Sequence, residues 1–114
     1  MIDRTFIPNT IKRDVNKEKS SYENVKIIEK SELTNLKFER TDVLEDKDQI
    51  NTRMNKLITA MRLGNSAKSK VKIYFKDRFD KKCVETTVWY ADPLYVTLKG
   101  GLVLPVSSIY HINI

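Results

Sequence analysis

The chain has 114 residues, of which 40% are hydrophobic and 32% are charged, and its net charge is +6 at pH 7. This length fits one domain with a single hydrophobic core and argues against a large enzyme with a second domain. The longest nearly uncharged run, residues 89–98, is far shorter than the roughly 18 apolar residues of a membrane span, so we expect no membrane partner.

Residues 1–45 are predicted to form an N-terminal arm and a poorly defined segment. Residues 1–23 carry scattered hydrophobic residues without the spacing of a helix or a strand, which favours an extended arm, with a disordered tail as the alternative. The first residues lack the apolar core and cleavage site of a secretory signal, and this predicts a cytoplasmic protein. The rest of the segment offers a candidate short strand at 24–28 and an apolar patch of Leu33, Leu36 and Phe38.

A helix is predicted over residues 46–63. Asp46 followed by Gln49 resembles a capping box, and Gly64-Asn65 supplies residues that tolerate a left-handed cap after the last turn. Arg53 is placed on the face that points away from the core. The apolar stripe on the other face, which we interpret as core packing and not as a cofactor site, is Ile50, Met54, Leu57, Ile58 and Met61.

After the helix, apolar residues alternate with polar ones, which predicts four half-buried strands. Gly100-Gly101 is predicted as a two-residue hairpin turn, because both glycines can adopt the positive φ of a primed turn. A phosphate-binding loop of the Walker type would lead into a helix, whereas a strand follows here. Residues 107–109 are predicted as one helical turn and residues 110–114 as a closing strand. The residues predicted to face inward are Val71, Ile73, Phe75, Val84, Thr86, Val88, Tyr90, Leu94, Val96, Leu98, Leu102, Leu104 and Val106.

These elements predict an α+β fold: one amphipathic helix followed by a five-stranded antiparallel small β-barrel over residues 46–114, with an extended N-terminal arm. The element order, together with Leu98-Lys99-Gly100-Gly101, resembles the Sm-like small barrel of bacterial RNA chaperones and eukaryotic Sm proteins. The resemblance implies RNA binding. The Asp/Asn-bearing loop of the first Sm motif has no clear counterpart, since Asp92 lies in a different hairpin.

Two further features bear on relatives and assembly. The pattern LGN, KVKIYF, VETTVW, LKGG and LPV is also similar to small bacterial proteins of unknown function, and no activity is implied by that likeness. Sm-like rings join the fourth and fifth strands, and Pro105 removes a backbone donor from such pairing. We therefore expect no ring, while another homo-oligomer stays open.

Catalytic chemistry has few candidate residues. His111 on the last strand has no obvious cysteine or carboxylate partner, and Cys83 fits a small strand residue in a reducing compartment. The acidic pairs Asp46/Asp48 and Asp77/Asp80 fit a helix cap and a turn. We predict no enzyme activity, no catalytic residue, no metal and no cofactor.

Basic residues are concentrated in one part of the chain. Seven basic and two acidic residues lie between positions 66 and 82, a density that attracts polyanions. Lysines on the outward face of a strand can neutralise phosphates while exposed aromatic rings stack on unpaired bases. We therefore predict a non-enzymatic module that binds RNA or another single-stranded nucleic acid; ordinary solvated lysines and buried rings are the alternative. The predicted contacts are Lys68, Lys70, Lys72, Tyr74, Lys76, Arg78, Lys81, Lys82, Trp89 and Tyr95.

The alternative function is a protein interaction. In that case the N-terminal arm would dock a partner, and the protein would be a subunit of a larger protein or ribonucleoprotein assembly. The residues predicted to contact that partner are Phe6, Ile7, Ile11 and Val15.

Overall fold

The computed structural model describes residues 25–114. The predicted contacts of the arm, Phe6, Ile7, Ile11 and Val15, lie outside these residues. In chain order, the elements are strand β1 (Lys26–Ile27), a 3-10 helix (Lys30–Asn35), helix α1 (Lys47–Ala67), strands β2 (Val71–Lys76), β3 (Lys81–Thr86), β4 (Val88–Ala91), β5 (Tyr95–Leu98) and β6 (Val103–Pro105), a 3-10 turn (Val106–Ser108) and strand β7 (Ile109–Asn113).

The strands form two sheets. The first has the order β1-β3-β2-β7, with β1 parallel to β3 and the other neighbours antiparallel, and the second is the antiparallel sheet β4-β5-β6. Only Thr87 separates β3 from β4, so a single sharply bent strand path belongs to both sheets. The predicted α+β class, with one α-helix preceding the antiparallel strands, is therefore confirmed.

The strands do not close into the predicted barrel. Within residues 25–114 no ladder joins β6 to β7, which would be the closing contact. β6 is only three residues long, Pro105 has no N–H to donate, and the 3-10 turn directly after it redirects the chain. The same part of the chain contains no helix long and apolar enough to span a membrane.

One hydrophobic core lies between the two sheets and the helix. The inward faces of β2, β3, β5, β6 and β7 meet Leu57 and Ala60 of α1 there. Each large side chain buried in this way stabilises the fold by about 1.5–3 kcal/mol before entropy is counted. The fully buried strand residues include Ile73, Phe75, Val84, Val96, Leu98, Leu104 and Ile109.

Helix α1 begins where predicted but ends later. The Asp46 side chain caps its start by accepting the Asp48 N–H at 3.2 Å. The predicted stop at Gly64-Asn65 is wrong, because Gly64 lies inside the helix and packs against the backbone of β4. The left-handed cap is instead Lys68, with φ of 54°.

Arg53 was predicted to face solvent and instead is only 5% exposed. Its guanidinium donates to both carboxylate oxygens of Asp42, at 2.7 Å each, and to the Ile109 carbonyl oxygen at 3.0 Å. The helical spacing predicted an outward Arg53 because a charged side chain is counted as polar and therefore assigned to the solvent-facing side. A two-pronged ion pair lets the guanidinium lie inside instead.

Residues 25–45, predicted as poorly defined, pack against the strands. β1 pairs with β3 at Lys26–Lys82 and Ile27–Cys83, so a short strand exists within the predicted 24–28. Leu33 is buried in the core, and Leu36 and Phe38 pack against it, as members of one apolar patch. The Val43 N–H then donates to the Ser107 carbonyl oxygen at 2.9 Å and fixes the end of the segment beside the 3-10 turn.

Three strand details differ from the prediction. Val88 pairs with Leu98 but Tyr90 pairs with Thr97, so a bulge turns Tyr90 outward, where it is 56% exposed. Leu94 is 71% exposed because it lies in the turn before β5, where the Asp92 carboxylate accepts its N–H. The glycine loop has three residues, since Leu98 and Leu102 face each other across it. Both Gly100 and Gly101 adopt positive φ, as predicted.

Candidate nucleic-acid interface

The turn between β2 and β3 is organised by Asp77, which is buried. One oxygen of its carboxylate accepts the N–H groups of Phe79 and Asp80, at 2.8 and 2.7 Å, and the other accepts a hydrogen bond from the Lys82 ammonium. Burial alone would raise the pKa of Asp77, but these bonds outweigh it and the pKa is lowered. The bond to Asp77 raises the pKa of Lys82.

Two predicted contacts are therefore already engaged in this turn. Lys82 is half-buried and bound to Asp77. Contrary to the prediction, its ammonium is therefore already occupied, and we remove Lys82 from the nucleic-acid site. Arg78 pairs with Glu39 at 3.3 Å, but both side chains are about half exposed. Such exposed pairs contribute only about 0–1 kcal/mol, so Arg78 can exchange Glu39 for a phosphate at little cost.

Lys76 and Lys81 lie directly opposite each other on β2 and β3. Both are exposed, and within residues 25–114 neither ammonium forms an ion pair. The Lys81 Nζ lies 5.3 Å from the centre of the Tyr110 ring. Like charges directly opposite in a sheet destabilise it, so we expect this pair to weaken the sheet.

A cleft of about 370 Å³ opens beside the two lysines, between β3, β7 and residues 39–43. Three carboxylates line it together with the hydroxyls of Thr41 and Ser108. Each carboxylate already has a cation, since Asp42 binds Arg53, Asp77 binds Lys82 and Glu39 binds Arg78. Among residues 25–114, Lys76 and Lys81 are therefore the cleft-lining charges that have no ion-pair partner.

Three further lysines continue along β2 towards its start. Lys72 is half-buried on the outward face, with exposed Glu85 opposite it on β3. Lys70 and Lys68 are exposed at the beginning of the strand and at the helix cap. We call Lys68, Lys70, Lys72, Lys76 and Lys81 the lysine track.

Sequence reasoning missed two lysines at the start of this track. Lys30 and Lys99 line a second cleft, of about 390 Å³, together with Lys70. The position of Lys99 next to Gly100-Gly101 was a signal, because a tight turn projects its side chain from the sheet. No sequence signal pointed to Lys30, since it reaches the cleft through the packing of residues 25–35.

Tyr74 was predicted as an exposed stacking ring and is instead 9% exposed. It lies at the centre of the outward face of the four-stranded sheet, between Cys83 on β3 and His111 on β7. Its ring centre is 5.4 Å from that of His111 and 6.2 Å from that of Tyr110. Tyr74 therefore packs within the protein and offers no free face to a base.

Trp89 and Tyr95 are exposed as predicted, at 47% and 50%, but they belong to the three-stranded sheet. The structure does not bring them onto the sheet that carries the lysine track. On the outward face of their own sheet, Tyr90, Thr97 and Val103 form one row across the strands and Tyr95 lies opposite Pro105.

Burial shifts the pKa values of Cys83 and His111. Burial raises the pKa of the Cys83 thiol, which lies on β3 as the small strand residue that was predicted. Burial, and then the charge of Lys56, lower the pKa of His111 and favour its neutral form. Within residues 25–114 no group of three potential ligands is placed to hold a metal ion.

Comparisons with models of known protein families, with curated proteins and with solved structures gave no match to this chain.

Proposed function

We propose that this protein is a non-enzymatic module that binds single-stranded nucleic acid, RNA in the first instance, through the lysine track. The observation that carries the proposal is the Lys76–Lys81 pair, which repels itself across two strands beside a cleft whose carboxylates are all engaged. A phosphate placed between the two ammonium groups would remove that repulsion. The expected cost of this pair to the stability of the free protein would be offset when an anionic partner binds.

The shape of the track favours a flexible strand as the ligand. Lys70 and Lys76 are six positions apart along extended chain, a distance of about 20 Å that spans several nucleotides. Tyr74, between them, is buried and offers no stacking face, whereas the Phe79 ring, in the turn between Lys76 and Lys81, is 75% exposed. Contacts to phosphates carry no sequence information, so we expect broad sequence tolerance and strong dependence on salt.

We also propose that residues 46–114 form an open relative of the Sm-like small barrel. The order of one helix, a strand bent at Thr87 and shared by two sheets, and a 3-10 turn before the last strand supports this. A cytoplasmic location, where RNA is available, is part of the same proposal.

The test is fluorescence anisotropy with a labelled single-stranded RNA of about 16 nucleotides, the upper site size of small binding folds. If about four lysines contact phosphates, affinity should fall about 50-fold between about 50 and 200 mM salt. Lys76→Glu with Lys81→Glu should abolish binding. The matched control is Lys47→Glu with Arg62→Glu, two exposed positions on α1 that change the net charge equally. Equal losses in both double variants would show nonspecific attraction and would sink the proposal.

A second candidate function has its own supporting observation. The outward face of the three-stranded sheet places exposed Tyr90, Tyr95 and Val103 together, with Asp92 beside Tyr95 at its edge. In a chain with 32% charged residues, such a face favours a protein partner. Cross-linking in the native cell should then capture a polypeptide that Tyr90→Asp with Tyr95→Asp releases and that salt does not. If the unaltered protein and the double variant capture the same polypeptides, the protein-interaction function is rejected.

A further inference from the structure

Three elements that are distant in the sequence bring their lysines to one cleft. Lys30 comes from the first 3-10 helix, Lys70 from the residue before β2, and Lys99 from the glycine loop. Within residues 25–114 none of the three forms an ion pair. We call this cleft, of about 390 Å³, the three-lysine cleft.

The three lysines outnumber the two carboxylates that also line the three-lysine cleft, those of Glu29 and Glu85. At the start of the 3-10 helix, the Glu29 backbone N–H donates to the Glu32 carboxylate at 2.9 Å. Glu85 is exposed and stands opposite Lys72 in the sheet. Lys68 is also close by, since the Thr87 hydroxyl donates to its carbonyl oxygen at 3.4 Å.

The glycine loop lets one of these lysines approach the backbone. A Cβ added to Gly100 would lie 3.6 Å from the Lys30 Nζ, so the Lys30 ammonium rests against the turn. With φ of 94°, Gly100 has a backbone that other residues rarely adopt. Lys30 and Lys99 therefore both line the cleft beside this loop.

We propose that the three-lysine cleft binds a phosphate group bearing two or more negative charges. Its source is either the 5′ phosphate of a nucleic-acid strand or a free polyphosphate, both of which offer the same oxygens to lysine donors. The proposal deepens the proposed function, on which its nucleic-acid arm rests. A terminal phosphate in this cleft would set the strand's direction along the lysine track.

The first experiment measures thermal unfolding with sodium pyrophosphate, against sodium chloride at equal ionic strength. Saturating pyrophosphate should raise Tm by about 4 °C or more, because a ligand that binds only the folded state stabilises it. Lys30→Gln, Lys70→Gln and Lys99→Gln should each weaken binding about tenfold, as expected for loss of a charged hydrogen bond. Lys47→Gln is the control, and the Tm of each variant without ligand checks its folding.

The second experiment compares RNA with a 5′ phosphate and RNA with a 5′ hydroxyl. The phosphorylated strand should bind about tenfold more tightly to the unaltered protein and equally to Lys99→Gln. If it does not, while pyrophosphate still binds, the free polyphosphate is the ligand.

The outcomes separate this inference from the proposed function. RNA binding that is weakened by Lys70→Gln but ignores Lys30→Gln, Lys99→Gln and the 5′ phosphate, with no pyrophosphate effect, would overturn the inference and leave the proposed function standing. Pyrophosphate binding that depends on the three lysines, in a protein that binds no RNA, would support the inference and reject the proposed function.

Discussion

The Cα of Gly64 in helix α1 lies so close to the Val88 carbonyl oxygen that an added Cβ would be 2.2 Å from it. Helix and strand approach each other here at a distance that only glycine permits. The contact fixes α1 against the bent strand path that links the two sheets, and thereby sets the position of the lysine track relative to the core.

Gly64→Ala should therefore destabilise the protein, although alanine favours a helix by about 1 kcal/mol over glycine. The crowding should outweigh that gain and give a net loss of about 1–3 kcal/mol in urea unfolding. Asn65→Ala, at the exposed neighbouring position, should be neutral or slightly stabilising. A Gly64→Ala protein as stable as the original would show that the helix can move away from β4.

Arg53→Ala should cost about 3 kcal/mol of folding free energy, because the Ile109 carbonyl loses its side-chain donor and the Asp42 carboxylate keeps only the Leu44 N–H. The stability of Arg53→Lys should lie between that of Arg53→Ala and that of the unaltered protein, since one ammonium cannot match the two-pronged contact of the guanidinium. Chemical unfolding of the three proteins tests this order. Equal stability of the lysine and arginine proteins would contradict it.

Acid should weaken the turn between β2 and β3. The pKa of Asp77 is lowered in the folded protein, so the unfolded chain takes up its proton first as pH falls. The contribution of Asp77 is complete above about pH 4, the range of an unfolded aspartate, and is lost below it as pH falls through the folded pKa. Asp77→Asn should lower stability at pH 7, and its difference from the unaltered protein should shrink below about pH 4. Glu45→Gln, at an exposed position outside this turn, is the control, and a pH-independent difference for Asp77→Asn would refute the assignment.

Lys76→Gln should change stability and binding in opposite directions. Removing one member of the Lys76–Lys81 pair relieves the repulsion and should stabilise the fold by about 0.2–1 kcal/mol. The same variant should weaken RNA binding, because one phosphate contact is lost. Measuring urea unfolding and anisotropy on one protein preparation tests both effects. A simultaneous loss of stability and affinity would mean that Lys76 supports the sheet.

The sequence predicted those elements whose pattern is local. The helix start at Asp46, the alternation in β2 and the positive φ of Gly100 all follow from neighbouring residues. The helix end could not be predicted from the sequence. A glycine such as Gly64 normally ends a helix, and its place inside this one is explained only by the close approach of β4. The outward turn of Tyr90 similarly depends on a bulge that pairing with β5 defines.

For the candidate site, the sequence located the charge but not its environment. The sequence identified Lys76 and Lys81. It did not reveal the pairing of Lys82 with Asp77, because Asp77 was assigned only to the turn, whereas its carboxylate both closes the turn and binds the lysine. Tyr74 alternates with lysines as an exposed residue would, but the central strand of a four-stranded sheet gives it neighbours on both sides. Lys30 reaches its cleft only through tertiary packing.

The Arg53 contacts join parts of the chain that are far apart in the sequence. Its carboxylate partner lies 11 residues before it, whereas its backbone acceptor lies 56 residues after it. The last strand therefore supplies an acceptor for a buried charge as well as apolar side chains for the core. We expect a chain that ends before Ile109 to be degraded faster than the full chain.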